Sequence, residues 1–293
     1  MIKIVVDSGC DLPEEYLKEK NITVIPLYLK IKDKFLKDGI DVKGEEFFKL
    51  LKEHKDLSTS QPPLEDFLKI YKELVDNGDE IISIHITGKG SGTVNTAKIA
   101  RDEINKEKID VLDSNHISAS YGFIVKRVQE LIEKGITRNE IIKRFNTIIN
   151  KVQLFFTLNT LEYVNKGGRV KDIKSIITNI LDIKPILNMK DGLPKIYKLI
   201  RGRRNSLKEI IKCVLENIKN KISFELAFVH GDAEDEINYV KEEILKNVKP
   251  KEYFTKLIGP ALGVHAGPGS LGVAINILEE EVWTTNMSWI ILN

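Results

Sequence analysis

Apolar runs that alternate with helical patterns dominate the first half of the chain, and this alternation limits the folds open to it. The runs at 2–6, 80–86 and 109–112 each lead into a polar turn, and amphipathic stretches separate them. Strands that alternate with helices predict a mostly parallel sheet with helices on both faces. Ligands bind such sheets at the carboxyl ends of the strands. We therefore expect an N-terminal three-layer α/β domain with a binding site at the edge where the polar turns gather.

The second half of the chain has a different pattern. Asp191 and Gly192 separate two extended runs, 185–189 and 195–201, which indicates a β-hairpin. A helical pattern over 172–181 precedes the hairpin, and further strands and helices follow it. A hairpin with interspersed helices predicts an α+β domain.

The change of pattern predicts a domain boundary close to residue 151. We expect an N-terminal α/β domain over 1–151 and a C-terminal α+β domain over 152–293, with a ligand in the cleft between them. The sequence pattern of the tail at 278–293 does not indicate a role for it.

Composition excludes several classes of function. With 45 basic and 43 acidic residues the net charge is +2, which argues against nucleic-acid binding. No apolar run approaches the roughly 20 residues of a membrane helix, so we expect no stable membrane insertion. Cys10 and Cys213 form no disulfide framework, and the first strand begins at residue 2 without a signal peptide. A cytoplasmic protein follows, and the histidine and cysteine spacings predict neither a metal site nor a cofactor.

The stretch GKGSGT at 88–93 follows a predicted strand and opens a predicted helix. Its glycine spacing fits neither a phosphate-binding P-loop nor a dinucleotide fingerprint, and Ser91 lacks the glycine spacing of a nucleophile elbow. A glycine-rich turn remains, leading to a helix start with Ser91 and Thr93. Free N–H groups and the positive helix end favour an anion there, although Ser91 as a simple N-cap is the plainer interpretation.

Two other segments are candidates for the same site. The hydroxyl-rich stretch Ser58–Gln61 precedes two prolines and is interpreted as a second helix start, which brings Thr59 and Ser60 to the crevice. The glycine-rich stretch 258–273 predicts a tight loop, and His265 in its middle is a candidate for facing a ligand.

Three functional hypotheses remain open on these residues. The chain could be a ligand carrier, or a serine-dependent acyl hydrolase in which Ser91 is the nucleophile, His265 the base and Asp113 their partner. It could also bind another small anion through Ser91, Thr59 and the basic cluster 201–204.

Taken together and in order, these motifs resemble the DegV family of bacterial fatty-acid-binding proteins. The resemblance covers the chain from residue 2 to about residue 273, and the chain departs from the family at Lys89, where an apolar or small residue is usual. The motifs that carry it are VVDSGCDLP, STSQP, GSGTVNTA, VLDS, TLEYVNKGGR, KPIL and HAGPGSLGV.

The resemblance implies two domains that enclose one long-chain, palmitate-like fatty acid. It implies that Thr59 and Ser91 bind the carboxylate and that Ser60, Thr93 and His265 support the head-group site. The resemblance further implies a carrier and not an enzyme, because in the better understood members a separate ATP-dependent fatty acid kinase makes the acyl phosphate. The resemblance also implies that Arg169 and Arg201 present the head group or dock the kinase.

Overall fold

The computed structural model describes residues 1–54, 56–170 and 182–278. Its strands are β1 (Ile2–Asp7), β2 (Thr23–Ile25), β3 (Tyr28–Ile31), β4 (Lys34–Lys37), β5 (Ser58–Ser60), β6 (Glu80–His85), β7 (Ile109–Asp113), β8 (Val152–Thr157), β9 (Ile183–Lys190), β10 (Leu193–Arg201), β11 (Phe224–Gly231), β12 (Tyr253–Leu257) and β13 (Ser270–Ile277). Its α-helices are α1 (Glu14–Glu19), α2 (Gly44–Glu53), α3 (Leu64–Asp76), α4 (Thr93–Ile104), α5 (Ser118–Glu133), α6 (Arg138–Asn150), α7 (Glu162–Gly167), α8 (Arg203–Ile218), α9 (Glu234–Leu245) and α10 (Pro260–Ala266).

The predicted parallel sheet is present, with the strand order β2-β1-β6-β7. Side chains alternate between its two faces as strand geometry requires. Val5 and Ile81 pack with α3 and α4 on one face, whereas Ile4 and Ile82 pack with α5 on the other. Both faces of the sheet are therefore covered by helices, which confirms the predicted three-layer arrangement.

The second half forms a mixed six-stranded sheet with the order β10-β9-β8-β13-β11-β12. Only the β11–β12 pair is parallel, and the predicted hairpin at Asp191 and Gly192 joins β9 to β10. One face of this sheet packs on α5, and the opposite face packs on α8 and α9. Helix α5 therefore lies between the two sheets and shares one apolar core with both of them.

The stretch Ser58–Gln61 was expected to start a helix, and this expectation is wrong. Ser58–Ser60 form β5, which pairs antiparallel with β3 in a small three-stranded sheet. The helix begins only at Leu64, because Pro62 and Pro63 leave the preceding residues extended. Thr59 is therefore presented by a strand and not by a helix terminus.

The glycine-rich stretch 258–273 is also more regular than predicted. It contains α10, which starts on Pro260 at its first turn and ends before Gly267, and it continues into β13. The predicted helix over 172–181 and most of the tail lie outside the described residues. The boundary at residue 151 falls between α6 and β8, and the division into two domains stays a prediction.

Candidate functional site

A cavity of about 740 Å³ lies where the two halves of the chain meet. It opens beside the carboxyl end of β6 and extends along the mixed sheet and α10. Much of its lining is aliphatic or aromatic, including Leu154, Phe156, Leu158, Val229, Ile258 and Leu271. The volume lies within the range of about 300–1,000 Å³ that is usual for small-molecule sites. The cavity is therefore large and apolar enough to take a small-molecule ligand with a substantial apolar part.

One part of the cavity lining is polar, and its side chains come from loops and from the short strand β5. Thr59, Ser60 and Gln61 come from β5 and the residue after it, while Ser91 comes from the turn before α4. Lys89 and Arg169 add positive charge to the lining. The cavity thus combines apolar walls with a set of hydroxyl groups and cations, which suits an amphipathic anion.

Thr59 and His265 form the central pair of this polar set. The Oγ1 atom of Thr59 lies 2.8 Å from Nε2 of His265. Burial and the nearby Arg169 lower the pKa of His265 to about 4, so its ring is neutral near pH 7. In the tautomer that carries the proton on Nε2, the ring donates to Thr59, and the Thr59 hydroxyl is left to donate to a ligand.

The position of the His265 ring depends on a glycine. A Cβ atom at Gly167 would lie 2.4 Å from Nδ1 of His265, so only glycine leaves room for the ring. Nδ1 itself is buried, and no hydrogen-bond partner for it is present among the described residues. Gly167 therefore sets the wall against which the His265 ring packs.

Ser91 and Thr93 are joined at the start of α4. Their hydroxyl oxygens lie 2.7 Å apart, and the Thr93 N–H donates to Oγ of Ser91 over 3.3 Å. Thr93 is fully buried and does not line the cavity, whereas Ser91 does. Ser91 is not the N-cap, because that position belongs to Gly92. Thr93 supports Ser91 and does not itself face the ligand.

The backbone N–H groups of the glycine-rich turn are less available than its sequence indicates. The Gly88 N–H donates to the Asp113 carboxylate over 3.0 Å, and the N–H groups of Gly90 and Ser91 donate to the Thr87 carbonyl oxygen over 3.1 Å. The hydroxyl group of Ser91 is therefore a better candidate for contact with an anion than these amides.

Gln61 is a cavity residue whose individual role the sequence did not indicate. Its side-chain amide donates to Oγ1 of Thr96 over 2.6 Å, which ties β5 to α4. A Cβ at Gly92 would lie only 1.7 Å from Oε1 of Gln61, so this tie requires a glycine. No local sequence signal predicts the hydrogen bond between Gln61 and Thr96, because the two residues are distant in the chain.

The two arginines predicted for head-group presentation occupy different places. Arg169 lines the main cavity and also a smaller cavity of about 290 Å³. His265 lines both cavities as well. Its guanidinium donates to the Gly167 carbonyl oxygen over 2.6 Å. Arg201 is exposed at the end of β10 and is not among the residues that line either cavity.

The residues of the hydrolase hypothesis do not form a catalytic triad. Nε2 of His265 is bonded to Thr59 and not to Ser91, and the Asp113 carboxylate accepts from the N–H groups of Gly88 and Asn115. Within the described ranges, the residues also contain no group of three His, Cys, Asp or Glu side chains that could hold a metal ion.

A Ser-His-Asp relay does exist elsewhere, in the middle of the parallel sheet. Ser83 Oγ lies 2.7 Å from Nε2 of His85, and Nδ1 of His85 lies 3.1 Å from Oδ2 of Asp7. Tyr71 donates to Ser83 over 2.6 Å, and all four side chains are buried. This relay satisfies polar groups inside the fold, and none of its four side chains lines the cavity.

The comparisons with known proteins agree with this architecture. The family model described as "Uncharacterised protein, DegV family" matches residues 1–277. The chain belongs to the DegV family. A DegV domain-containing protein, TTE1491, from Caldanaerobacter subterraneus subsp. tengcongensis is 34% identical over 93% of this chain and 97% of its own length.

Solved DegV structures confirm the predicted α/β fold with its additional mixed sheet. A fatty-acid-binding DegV family protein from Thermus thermophilus matches with a TM-score of 0.89 at 28% identity, covering 94% of this chain and 99% of that one. A stearic acid-binding protein from Eubacterium ventriosum matches with a TM-score of 0.88 at 25% identity, covering 94% and 98% of the two chains. Among the described helices of this DegV protein, none is long and apolar enough to cross a membrane.

Proposed function

We propose that this chain binds one long-chain fatty acid in the 740 Å³ cavity, with the carboxylate held by the hydroxyl groups of Thr59 and Ser91. The observation that carries the proposal is the division of the lining into long apolar walls and a hydroxyl-rich set backed by cations. Fatty-acid binding by the T. thermophilus DegV family protein and by the similar E. ventriosum protein supports the same assignment.

The two parts of the cavity would contribute differently to binding. Each buried CH₂ group contributes roughly 0.8 kcal/mol, so about 15 of them supply ~12 kcal/mol before the costs of association. The hydroxyl groups then decide which end of the ligand faces the polar set. Ser60 and His265 complete this set, and Thr93 holds Ser91 in place.

The apolar walls and the hydrogen bonds of Ser91 each weigh against one of the two rival hypotheses. A small phosphorylated metabolite would leave most of the cavity without complementary contacts. A serine hydrolase would need a base beside Ser91, and the hydroxyl partner of Ser91 is Thr93.

We further propose that the bound acid is presented in the cytoplasm to a separate ATP-dependent fatty acid kinase, which forms the acyl phosphate. The sequence contains no recognisable nucleotide-binding motif, so phosphoryl transfer would require a partner that supplies nucleotide and metal. Arg169 at the cavity and the exposed Arg201 are the proposed residues for presentation and docking.

Mass spectrometry of the ligand released by denaturing the purified protein tests the binding proposal. We expect about one equivalent of fatty acid per chain. A phosphorylated metabolite instead, or a folded protein that neither carries nor takes up fatty acid, would contradict it. Turnover of an activated acyl ester that disappears in Ser91→Ala would favour the hydrolase.

An occluding variant links the released ligand to this cavity. Ala266 lines the cavity at the end of α10, so Ala266→Phe should reduce the amount of bound fatty acid. Ile99→Phe introduces the same side chain at a residue of α4 that is 44% exposed, and it should retain the ligand. Equal retention in both variants would place the ligand elsewhere.

A further inference from the structure

Two buried carboxyl groups meet at the first turn of α10. Oδ1 of Asp11 accepts from the Gly259 N–H over 2.8 Å, and Oδ2 of Asp11 accepts from the Ser118 hydroxyl over 2.6 Å. The Asp38 carboxylate accepts from the Ala261 N–H and, over 2.7 Å, from the Ser8 hydroxyl. Both acids are only 3% exposed.

The two carboxyl groups are neighbours. A Cβ at Gly259 would lie 3.2 Å from an oxygen of Asp11 and 3.5 Å from both oxygens of Asp38. Both acids therefore approach Gly259, and through it they hold the start of α10. This helix comes from the second half of the chain, whereas the acids come from the first. Among the described residues, neither acid forms an ion pair with a lysine or arginine.

Helix α10 connects this pair to the head-group site. Ala261, Leu262 and Ala266 line the cavity, and His265 near the end of the same helix bonds to Thr59. The network reaches the cavity a second time through Ser118, which is also a lining residue. A change in how α10 is held therefore moves the cavity wall and His265 together.

The surroundings make the charged form of both acids costly. Burial raises the pKa of Asp11 to about 6 and that of Asp38 to about 7. The hydrogen bonds that the two acids accept oppose this, because those from Ser118 and Gly259 to Asp11 and those from Ser8 and Ala261 to Asp38 favour the charged form, but burial outweighs them. The charge of Lys256 on β12 also opposes it for Asp11, whereas Asp7 on β1 adds to it for both acids. The Cys10 thiol beside them stays neutral, because burial raises its pKa to about 12.

We propose that Asp11 and Asp38 are positioning residues for the head-group site: they clamp the first turn of α10, and ionisation of both carboxyl groups loosens the clamp and speeds ligand exchange. The ligand part of this proposal rests on the proposed fatty-acid function. The clamp on α10 does not depend on it.

The direction of the effect follows from proton linkage. Acids with raised pKa bind protons more tightly in the closed state than in an open state where water reaches them. The closed state is therefore most favoured below the pKa of about 4 that a water-exposed aspartate has. It loses stability as the pH rises from there to about 6 to 7, and above that range the opening equilibrium levels off. Each unit of pKa difference between the two states corresponds to a factor of about ten in the opening equilibrium.

Hydrogen exchange of the α10 backbone amides, corrected for intrinsic rates and measured without ligand between about pH 5.5 and 8, tests the clamp. In the unaltered protein we expect opening to increase about tenfold or more over this range. In Asp38→Asn the increase should shrink strongly, because the asparagine cannot ionise. The dissociation rate of labelled palmitate should rise with pH in the unaltered protein and should depend much less on pH in Asp38→Asn.

Asp79→Asn is the matched control. Asp79 lies just before β6, is also a buried acid and pairs with the amino group of Met1 over 3.1 Å. It should keep the pH dependence of the unaltered protein. If Asp38→Asn does not fold, Asp11→Asn takes its place.

The results separate the two proposals. An α10 exchange profile that is flat across this pH range in the unaltered protein, or unchanged in a folded Asp38→Asn or Asp11→Asn variant, would overturn the clamp. A pH-dependent α10 in a protein that binds no fatty acid would support the clamp and remove the proposed ligand.

Discussion

Replacement of Thr59 by valine tests the head-group assignment most directly. Valine keeps the size and β-branching of threonine, so β5 and its pairing with β3 should persist. The substitution removes one hydroxyl group, which is the partner of Nε2 of His265 and the proposed donor to the carboxylate. Nδ1 of His265 is already without a described partner, so the variant would leave the buried ring with no hydrogen bond.

The expected loss can be estimated from these contacts. A hydrogen bond to a charged group contributes about 1.5–3 kcal/mol net. At 1.4 kcal/mol per factor of ten, its loss weakens fatty-acid binding by about ten- to a hundredfold. The apolar walls are unchanged, so binding should weaken and not disappear.

Displacement of a fluorescent fatty acid by palmitate measures this change, and thermal unfolding without ligand checks the fold. Thr59→Ser keeps the hydroxyl group and should bind within a few-fold of the unaltered protein. If folded Thr59→Val binds as tightly as Thr59→Ser, Thr59 does not hold the carboxylate and the assignment is wrong.

Three further substitutions test the other residues that were assigned to ligand binding or to docking. Ser91→Ala should weaken fatty-acid binding by less than Thr59→Val, because the buried Thr93 hydroxyl loses its partner but the His265 pair persists; an equal or larger loss in the displacement assay would contradict this order. Gly167→Ala should lower both affinity and the unfolding temperature, since the new Cβ meets the His265 ring, and unchanged values would refute the packing argument. Arg201→Ala should retain the ligand but slow acyl phosphate formation with the kinase; loss of both together would mean that its role is misassigned.

The sequence predicted most of the fold because its signals were local. The apolar run at 2–6 buries Val5 on one face of the sheet and Ile4 on the other, and a capping box formed by Thr137 and Glu140 starts α6. The errors came where local signals were ambiguous. Hydroxyl residues before two prolines fit a helix cap, yet pairing with β3 makes Ser58–Ser60 a strand.

The candidate site was predicted only in part, for a physical reason. Thr59, Ser91 and His265 lie in motifs of polar and glycine residues, and the cavity brings all three together. The requirement for Gly92 beside Gln61, and the hold of Asp11 and Asp38 on α10, depend on contacts between distant segments. Such contacts leave no periodic pattern in a single sequence.

The hydrogen bonds of two histidines, His85 and His265, explain why residue types alone could not separate a carrier from a hydrolase. Serine, histidine and aspartate come within bonding distance at Ser83, His85 and Asp7, but that relay is sealed inside the sheet. At the cavity, His265 instead bonds to Thr59, so in the tautomer that carries the proton on Nε2 the Thr59 hydroxyl can donate a hydrogen bond to a ligand. An arrangement of this kind stabilises a carboxylate without attacking it, which supports the proposal that the chemistry on the bound acid belongs to a partner.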